Sequence, residues 1–252
     1  MTEIASHRGG ALLWPENSRI AFEATAKLSV EQVEFDIHPT SDGRLVVHHD
    51  ATLDRTTTGS GPLVAQDWAT LRKKIVLKNT GGQSMLLFDE VMEIFRPTSI
   101  LLRVEIKADA NHKPYPGLGK AVAAALAKCK MLDRSHITSF QLDTVLEAAR
   151  AHRPRNHVWL ITPPLQDDLG LDRVIGVAKA EKVPALALRQ NMLDAKVMSR
   201  IRRAKLGIGA WACNDDVTIA KALALGVDSF TTDRPDLAIA QREALKKGKK
   251  HG

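Results

Sequence analysis

Short apolar, β-branched runs recur along the chain. Longer stretches follow them, with apolar positions returning every three or four residues. The runs predict strands at Glu3–His7, Gln32–Ile37, Ile100–Ile106, His136–Phe140, His157–Ile161, Pro184–Leu188, Leu206–Trp211 and Asp228–Thr232. The intervening pattern predicts helices. In Leu118–Lys130 the residues Leu118, Val122, Ala125 and Leu126 share one face. Others are predicted at Thr144–His152, at Asp216–Leu225 behind the capping run Asn214-Asp215-Asp216 and before Gly226, and from Pro235 onward. Strand–helix alternation of this kind specifies a parallel sheet. Eight such units predict closure into a TIM (β/α)8 barrel, with an open doubly wound sheet as the competing arrangement.

Leu45–His48 breaks the rhythm. Too few residues separate it from Ile37 for a parallel crossover, and Thr40-Ser41-Asp42-Gly43 is a turn sequence. It is therefore expected as an antiparallel arm after the second barrel strand. It opens a small insertion over about residues 45–98, with helical segments near Trp68–Lys74 and Asp89–Phe95. No linker or repeat divides the chain, so residues 1–252 are expected to form one domain.

The polar residues that carry chemistry fall at strand ends. Period-two alternation puts Glu34 and Asp36 on one face of the second strand and Phe35 on the other. Two carboxylates side by side inside a barrel repel each other unless a cation or protons compensate. Glu105, at the end of the third strand and two residues before Lys107, can supply a third. Three carboxylates predict a hard divalent cation, Mg²⁺ or Ca²⁺.

Composition narrows the reading further. Length, 252 residues, suits one barrel. Cys129 and Cys213 are the only cysteines, which excludes a disulfide framework and a cysteine-rich zinc site. The start of the chain lacks a signal-peptide pattern, and no stretch is apolar for long enough to span a membrane, so a cytoplasmic location is expected. The net charge of +7 fits an anionic partner. Part of it sits at Lys246, Lys247, Lys249 and Lys250, read as a solvated basic tail. There is no nucleic-acid motif, and aromatic residues make up only 4%, too few for stacking platforms. A small anionic substrate is the expected partner.

The ordered motifs resemble the glycerophosphodiester phosphodiesterase family. They are His7-Arg8-Gly9, Pro15-Glu16-Asn17-Ser18, Glu34-Phe35-Asp36, Asp42-Gly43 and Val46-Val47-His48-His49-Asp50, then Leu53-Asp54-Arg55-Thr56-Thr57. Further on come Glu105-Ile106-Lys107, Ser139-Phe140, Trp211-Ala212-Cys213-Asn214 and Thr232-Asp233-Arg234-Pro235. The match in order and spacing runs from residue 7 to residue 235. The resemblance implies a TIM barrel that cleaves glycerophosphodiesters to sn-glycerol 3-phosphate and an alcohol. It implies His7 and His49 as the acid–base pair, and Glu34, Asp36 and Glu105 as metal ligands. Arg8 and Lys107 would bind phosphate, and Trp211 would wall the substrate pocket. A sugar phosphodiester, a phospholipid (as in sphingomyelinase D-like enzymes) and a non-catalytic anion-binding barrel are the rival readings.

Other residues receive plainer expectations. His48 is read as packing or surface, and His38 as a solvated turn residue because Pro39 should end the strand. Ser18 is read as a helix N-cap, Asp233 as a helix-start residue, and Cys213 as sharing Trp211's strand face. The loop Asn111–Pro116 is expected to overhang the pocket.

Overall fold

A computed structural model describes residues 1–248. In chain order the strands are β1 (Glu3–Ser6), β2 (Gln32–Pro39), β3 (Leu45–Val47), β4 (Leu86–Leu87), β5 (Leu101–Ile106), β6 (Ser135–Ser139), β7 (Asn156–Ile161), β8 (Ala185–Arg189), β9 (Gly207–Trp211) and β10 (Ser229–Thr232). The helices are α1 (Arg19–Thr25), α2 (Trp68–Lys74), α3 (Phe88–Phe95), α4 (Leu118–Lys128), α5 (Leu142–Ala151), α6 (Pro163–Leu169), α7 (Leu171–Ala180), α8 (Ala195–Arg203), α9 (Asp216–Leu225) and α10 (Pro235–Gly248). Lys246 and Lys247 close α10, whereas Lys249 and Lys250 of the expected basic tail lie outside the described residues.

Strands β1, β2 and β5 to β10 pair in parallel, and β1 joins both β10 and β2. The sheet is closed, so the fold is a TIM barrel and the open-sheet alternative falls. Each predicted barrel strand is present, with ends moved by one or two residues. The arm is antiparallel as expected: Ile37 faces Val47 across β2–β3, and β4 continues it by pairing with β3. Val46, Leu53, Leu63, Leu71, Leu77 and Met85 form a small apolar cluster of their own within this segment.

Local sequence starts several helices. Ser18 accepts the amide N–H of Ala21, and Asp215 accepts that of Thr218, each satisfying an orphan donor of the first turn. Strand alternation then sorts the two faces of the barrel wall. Phe35 points outward, meeting Phe22 edge-to-face at 6.0 Å and Phe88 at 6.3 Å, and Phe95 also stands against Phe22. Its neighbours Glu34 and Asp36 therefore point inward.

Inside the barrel His136, on β6, is buried. Burial, then the charges of Arg103 and Arg155, push its pKa from 6.5 down to about 3. The fold keeps it neutral where an unfolded chain would take a proton. Its contribution to stability is present above pH 6.5 and is lost as pH falls toward 3. We expect roughly 2–4 kcal/mol of acid-dependent loss from this residue, and a flatter profile in His136→Gln, measured by urea unfolding across pH 4–7.

Candidate active site

The carboxylate cluster is built by register. Asp36 on β2 lies directly beside Glu105 on β5, and Glu34 lies beside Arg103 one pleat lower. Glu34, Asp36 and Glu105 are all buried, and an oxygen from each falls within 4.8 Å of the others. Glu34 Oε1 and Asp36 Oδ1 have no hydrogen-bond partner. Burial, reinforced by the negative charge of Asp36, raises the Glu34 carboxyl well above the usual range. Asp36 goes the other way: burial opposes its charge, but Lys107, His49 and Arg8 together hold it ionised. Unpaired, buried carboxylate oxygens in this number fit a hard divalent cation.

Two cations flank the cluster. Lys107 Nζ donates to Glu105 at 2.6 Å and stands 3.3 Å from Asp36 Oδ1. Burial works against its charge, yet Glu105 and Asp36 raise its pKa above the ordinary lysine value. Arg8 Nη1 donates to Glu16 at 3.1 Å, and its Nε lies 3.4 Å from Asp36.

The backbone at Arg8 explains how it reaches that position. β1 was expected to run to His7 but ends at Ser6, and His7–Gly9 form a tight turn with Arg8 at φ 50°. The turn aims the Arg8 amide at Glu34 Oε2, 3.1 Å away. Gly9 sits at φ +79°, where an added Cβ would lie 2.7 Å from that of Ala21. Gly9→Ala should therefore cost about 2–4 kcal/mol of stability by urea unfolding, from left-handed strain and overpacking.

Each of the two expected acid–base histidines has its own carboxylate. His7 Nδ1 meets Asp233 Oδ1 at 2.5 Å, leaving Nε2 3.8 Å from Glu34. Burial pulls its pKa down, but Glu34 and Asp233 raise it overall. Asn214 holds Asp233 in turn, through Nδ2 to Oδ2 at 2.6 Å and Oδ1 to the Asp233 amide at 2.9 Å. His49 Nδ1 meets Asp50 Oδ1 at 2.5 Å. Arg55 clamps Asp50 and also donates two bonds to Glu16, the partner of Arg8. The insertion thereby ties His49 to Arg8 through Asp50, Arg55 and Glu16.

Several expectations need correction. Asp233 was read as a helix-start residue, but α10 begins at Pro235 and Asp233 is spent on His7. His38 is not a solvated turn residue. β2 continues to Pro39, and His38 is fully buried, with Nε2 at 3.1 Å from the His49 carbonyl and Nδ1 at 3.2 Å from the Tyr115 hydroxyl. Burial lowers its pKa to about 4, so a neutral ring donates to that carbonyl and accepts from the tyrosine. The Pro39 stop signal failed because the end of β2 pairs only with the arm. Cys213 does not share the face of Trp211: Ala212 turns at φ 62°, and Cys213 drops into the core, where burial pushes its thiol up to about 12. Asn17, directly before the N-cap Ser18, donates to Asp36 at 2.9 Å from a left-handed backbone. His48 packs as expected, buried with Nε2 at 3.1 Å from the Thr52 carbonyl.

At the C-terminal ends of the strands, His7, Arg8, Glu34, His49, Glu105, Lys107 and Trp211 line one cavity of about 300 Å³. Asp36 is fully buried behind it. Trp211 meets Phe140 edge-on at 5.6 Å, with Arg189 over its face. A second cavity, of about 710 Å³, adjoins on the His49 side and shares His49, Glu105, Lys107 and Phe140 with the first. Ala110 and His112 border it, so the loop after β5 does overhang the site.

Fold and site together define a TIM barrel that gathers carboxylates, cations and histidines in one cavity at its C-terminal mouth. Residues 7–237 match the glycerophosphoryl diester phosphodiesterase family, and the chain belongs to that family. A glycerophosphodiester phosphodiesterase of Bacillus altitudinis is 29% identical across 98% of this chain and its own full length. A crystal structure from Agrobacterium tumefaciens, provisionally named a glycerophosphoryl diester phosphodiesterase, is 37% identical with a TM-score of 0.95, covering 98% of this chain and 99% of that one. An Oleispira antarctica phosphodiesterase, solved in complex with the product sn-glycerol-3-phosphate, shares the fold at a TM-score of 0.78 and 22% identity, covering 96% of this chain and 97% of that one. The protein is thus a phosphoric diester hydrolase. Among its described residues no helix is long and apolar enough to cross a membrane.

Proposed function

We propose that this chain, as one domain over residues 1–252, hydrolyses small glycerophosphodiesters to sn-glycerol 3-phosphate and an alcohol with a divalent metal, Mg²⁺ or Ca²⁺. The observation that carries the reading is the convergence, at one cavity, of two carboxylate-braced histidines, three buried carboxylates and two cations. Glu34, Asp36 and Glu105 would hold the metal, which supplies charge neutralisation at the phosphate and polarises its oxygens. Arg8 and Lys107 bind the non-bridging oxygens and stabilise the charge that builds there. His7 takes the proton of the attacking hydroxyl, from water or from the substrate's own glycerol, as the new P–O bond forms. His49 gives a proton to the leaving alcohol oxygen as the old P–O bond breaks; where the substrate's own glycerol hydroxyl attacked, water then opens the cyclic phosphate so formed, His49 taking the water's proton and His7 returning one to the glycerol oxygen, which yields sn-glycerol 3-phosphate. What supports this assignment is that His49 lines both cavities, so the leaving alcohol is proposed to sit in the larger one. Asp233 and Asp50 fix the ring each histidine presents. Trp211 walls the glycerol side.

The test is product release from glycerophosphocholine and glycerophosphoethanolamine with Mg²⁺, with Ca²⁺ and with chelator. Metal-dependent glycerol 3-phosphate plus free choline or ethanolamine is the expected outcome. Turnover of an aryl phosphodiester but of neither glycerophosphodiester would move the substrate to another class. Turnover of none of the three in any metal would leave an anion-binding barrel.

A further inference from the structure

We propose that the N-terminal mouth of the barrel is a second binding site, for a small oxyanion of the phosphate class. A cavity of about 440 Å³ opens there, at the ends of the strands opposite the carboxylate cluster. That volume is in the range of small-ligand pockets. It exists because β8, β9 and β10 turn small residues inward, among them Ala185, Gly207, Gly209 and Ser229, where barrels ordinarily stack branched side chains. A Cβ at Gly209 would lie 3.4 Å from Arg103 Nη2, so the guanidinium fills room that the glycine leaves.

Arg103 is the reason to look for an anion. It is 2% exposed, and its hydrogen bonds run from Nη1 alone, to Ser229 Oγ at 3.0 Å and Gln32 Oε1 at 3.4 Å. Both partners are neutral, whereas Arg8 and Lys107 each touch carboxylates. A buried cation without a direct counter-charge is costly, and a bound anion relieves it. His136 lines the same cavity, is 9% exposed, and carries an Nε2 with no partner. Arg155 adds a second cation at the rim. Two carboxylates also border the space. Asp228 is already taken by Arg202 and by the Ile208 amide, whereas Glu3 accepts from the neutral Gln32 amide and offsets Arg103 only through space. Donors still outnumber that one carboxylate: the Arg103 and Arg155 guanidiniums, and the neutral His136 ring with its proton on Nε2. Together they suit the several acceptor oxygens of a phosphate or phosphomonoester. Neither His7 nor His49 reaches this cavity, so the site binds its ligand without converting it. Arg103 also lines the catalytic cavity and forms the wall between the two.

The test is calorimetric titration of the full chain, in chelator, with inorganic phosphate and separately with sn-glycerol 3-phosphate. The variants are Arg155→Glu, on the exposed rim, and Arg8→Ala, in the catalytic cavity. The ring-nitrogen NMR signal of His136 is followed in parallel. We expect binding tighter than about 1 mM, weakened at least about tenfold by Arg155→Glu, retained in Arg8→Ala, and accompanied by a shift of the His136 signal. Tighter binding of glycerol 3-phosphate would identify a phosphomonoester as the occupant, and equal binding would identify the free oxyanion. Binding lost in Arg8→Ala but untouched by Arg155→Glu, an unmoved His136 signal, or no binding of either anion would overturn the proposal.

Discussion

Alanine at either His7 or His49 lowers the turnover number by about 10²–10⁴-fold, the usual worth of a positioned acid or base, and leaves metal affinity unchanged. The two variants differ in their substrate dependence. His49→Ala recovers activity on a diester whose leaving group is acidic, such as a nitrophenol, because that group departs without a proton. His7→Ala does not recover, because the attacking hydroxyl still needs a base. Steady-state kinetics on an alkyl and an aryl diester separate the two roles. Asp233→Asn removes the carboxylate that fixes the His7 ring, and should lower the rate and move the lower limb of the pH profile without removing metal binding. Equal losses on both substrates in both variants would contradict the assignment of His49 as the acid.

Glu34→Gln abolishes metal-dependent activity, weakens metal binding by at least about 100-fold, and yet does not destabilise the metal-free protein. The cause is the cluster's own repulsion. Burial and the neighbouring Asp36 charge raise the Glu34 carboxyl above its ordinary value of 4.5. Between pH 4.5 and about 8 the metal-free fold must keep a proton on Glu34 that the unfolded chain gives up, so stability present below pH 4.5 is lost as pH rises and the wild type is weakened at neutral pH. Glutamine removes that penalty while its carbonyl still accepts from the Arg8 amide. Calorimetric melting without metal should therefore give Glu34→Gln a melting temperature equal to or above that of the wild type. Added metal should raise only the wild type, by the mass action of binding the folded state. Asp36→Asn should behave differently, since Asn17, Arg8 and Lys107 all lean on that carboxylate. It should lose both metal binding and stability.

What the sequence could disclose was set by how local each signal is. The barrel strands were legible because each is a short apolar run bounded by its own turns. The inward face of Glu34 and Asp36 was legible from alternation alone, and the arm from the short turn before it. The carboxylate cluster became visible once three acidic residues fell at the ends of neighbouring strands, although only the observed register makes Asp36 and Glu105 direct neighbours. The braces behind the histidines were not legible. Asp233 lies 226 residues from His7, and the nearby Pro235 made a helix start the better local explanation. Arg55 and Glu16 meet across a separation of 39 residues that includes α1, β2 and β3, with no periodicity to announce it. His38 was misread because a proline normally ends a strand, and here the strand's last pairing is with the arm alone. Arg103 went unremarked because nothing in its local sequence distinguishes a charge inside the barrel from one on the surface.

The most direct test of the central claim is phosphorus NMR of glycerophosphocholine incubated with the protein, first after chelator treatment and then after restoring Mg²⁺ or Ca²⁺. The diester signal is expected to persist in chelator and to convert to that of sn-glycerol 3-phosphate on addition of metal. Conversion that proceeds undiminished in chelator, or metal-dependent conversion to choline phosphate, would contradict the claim.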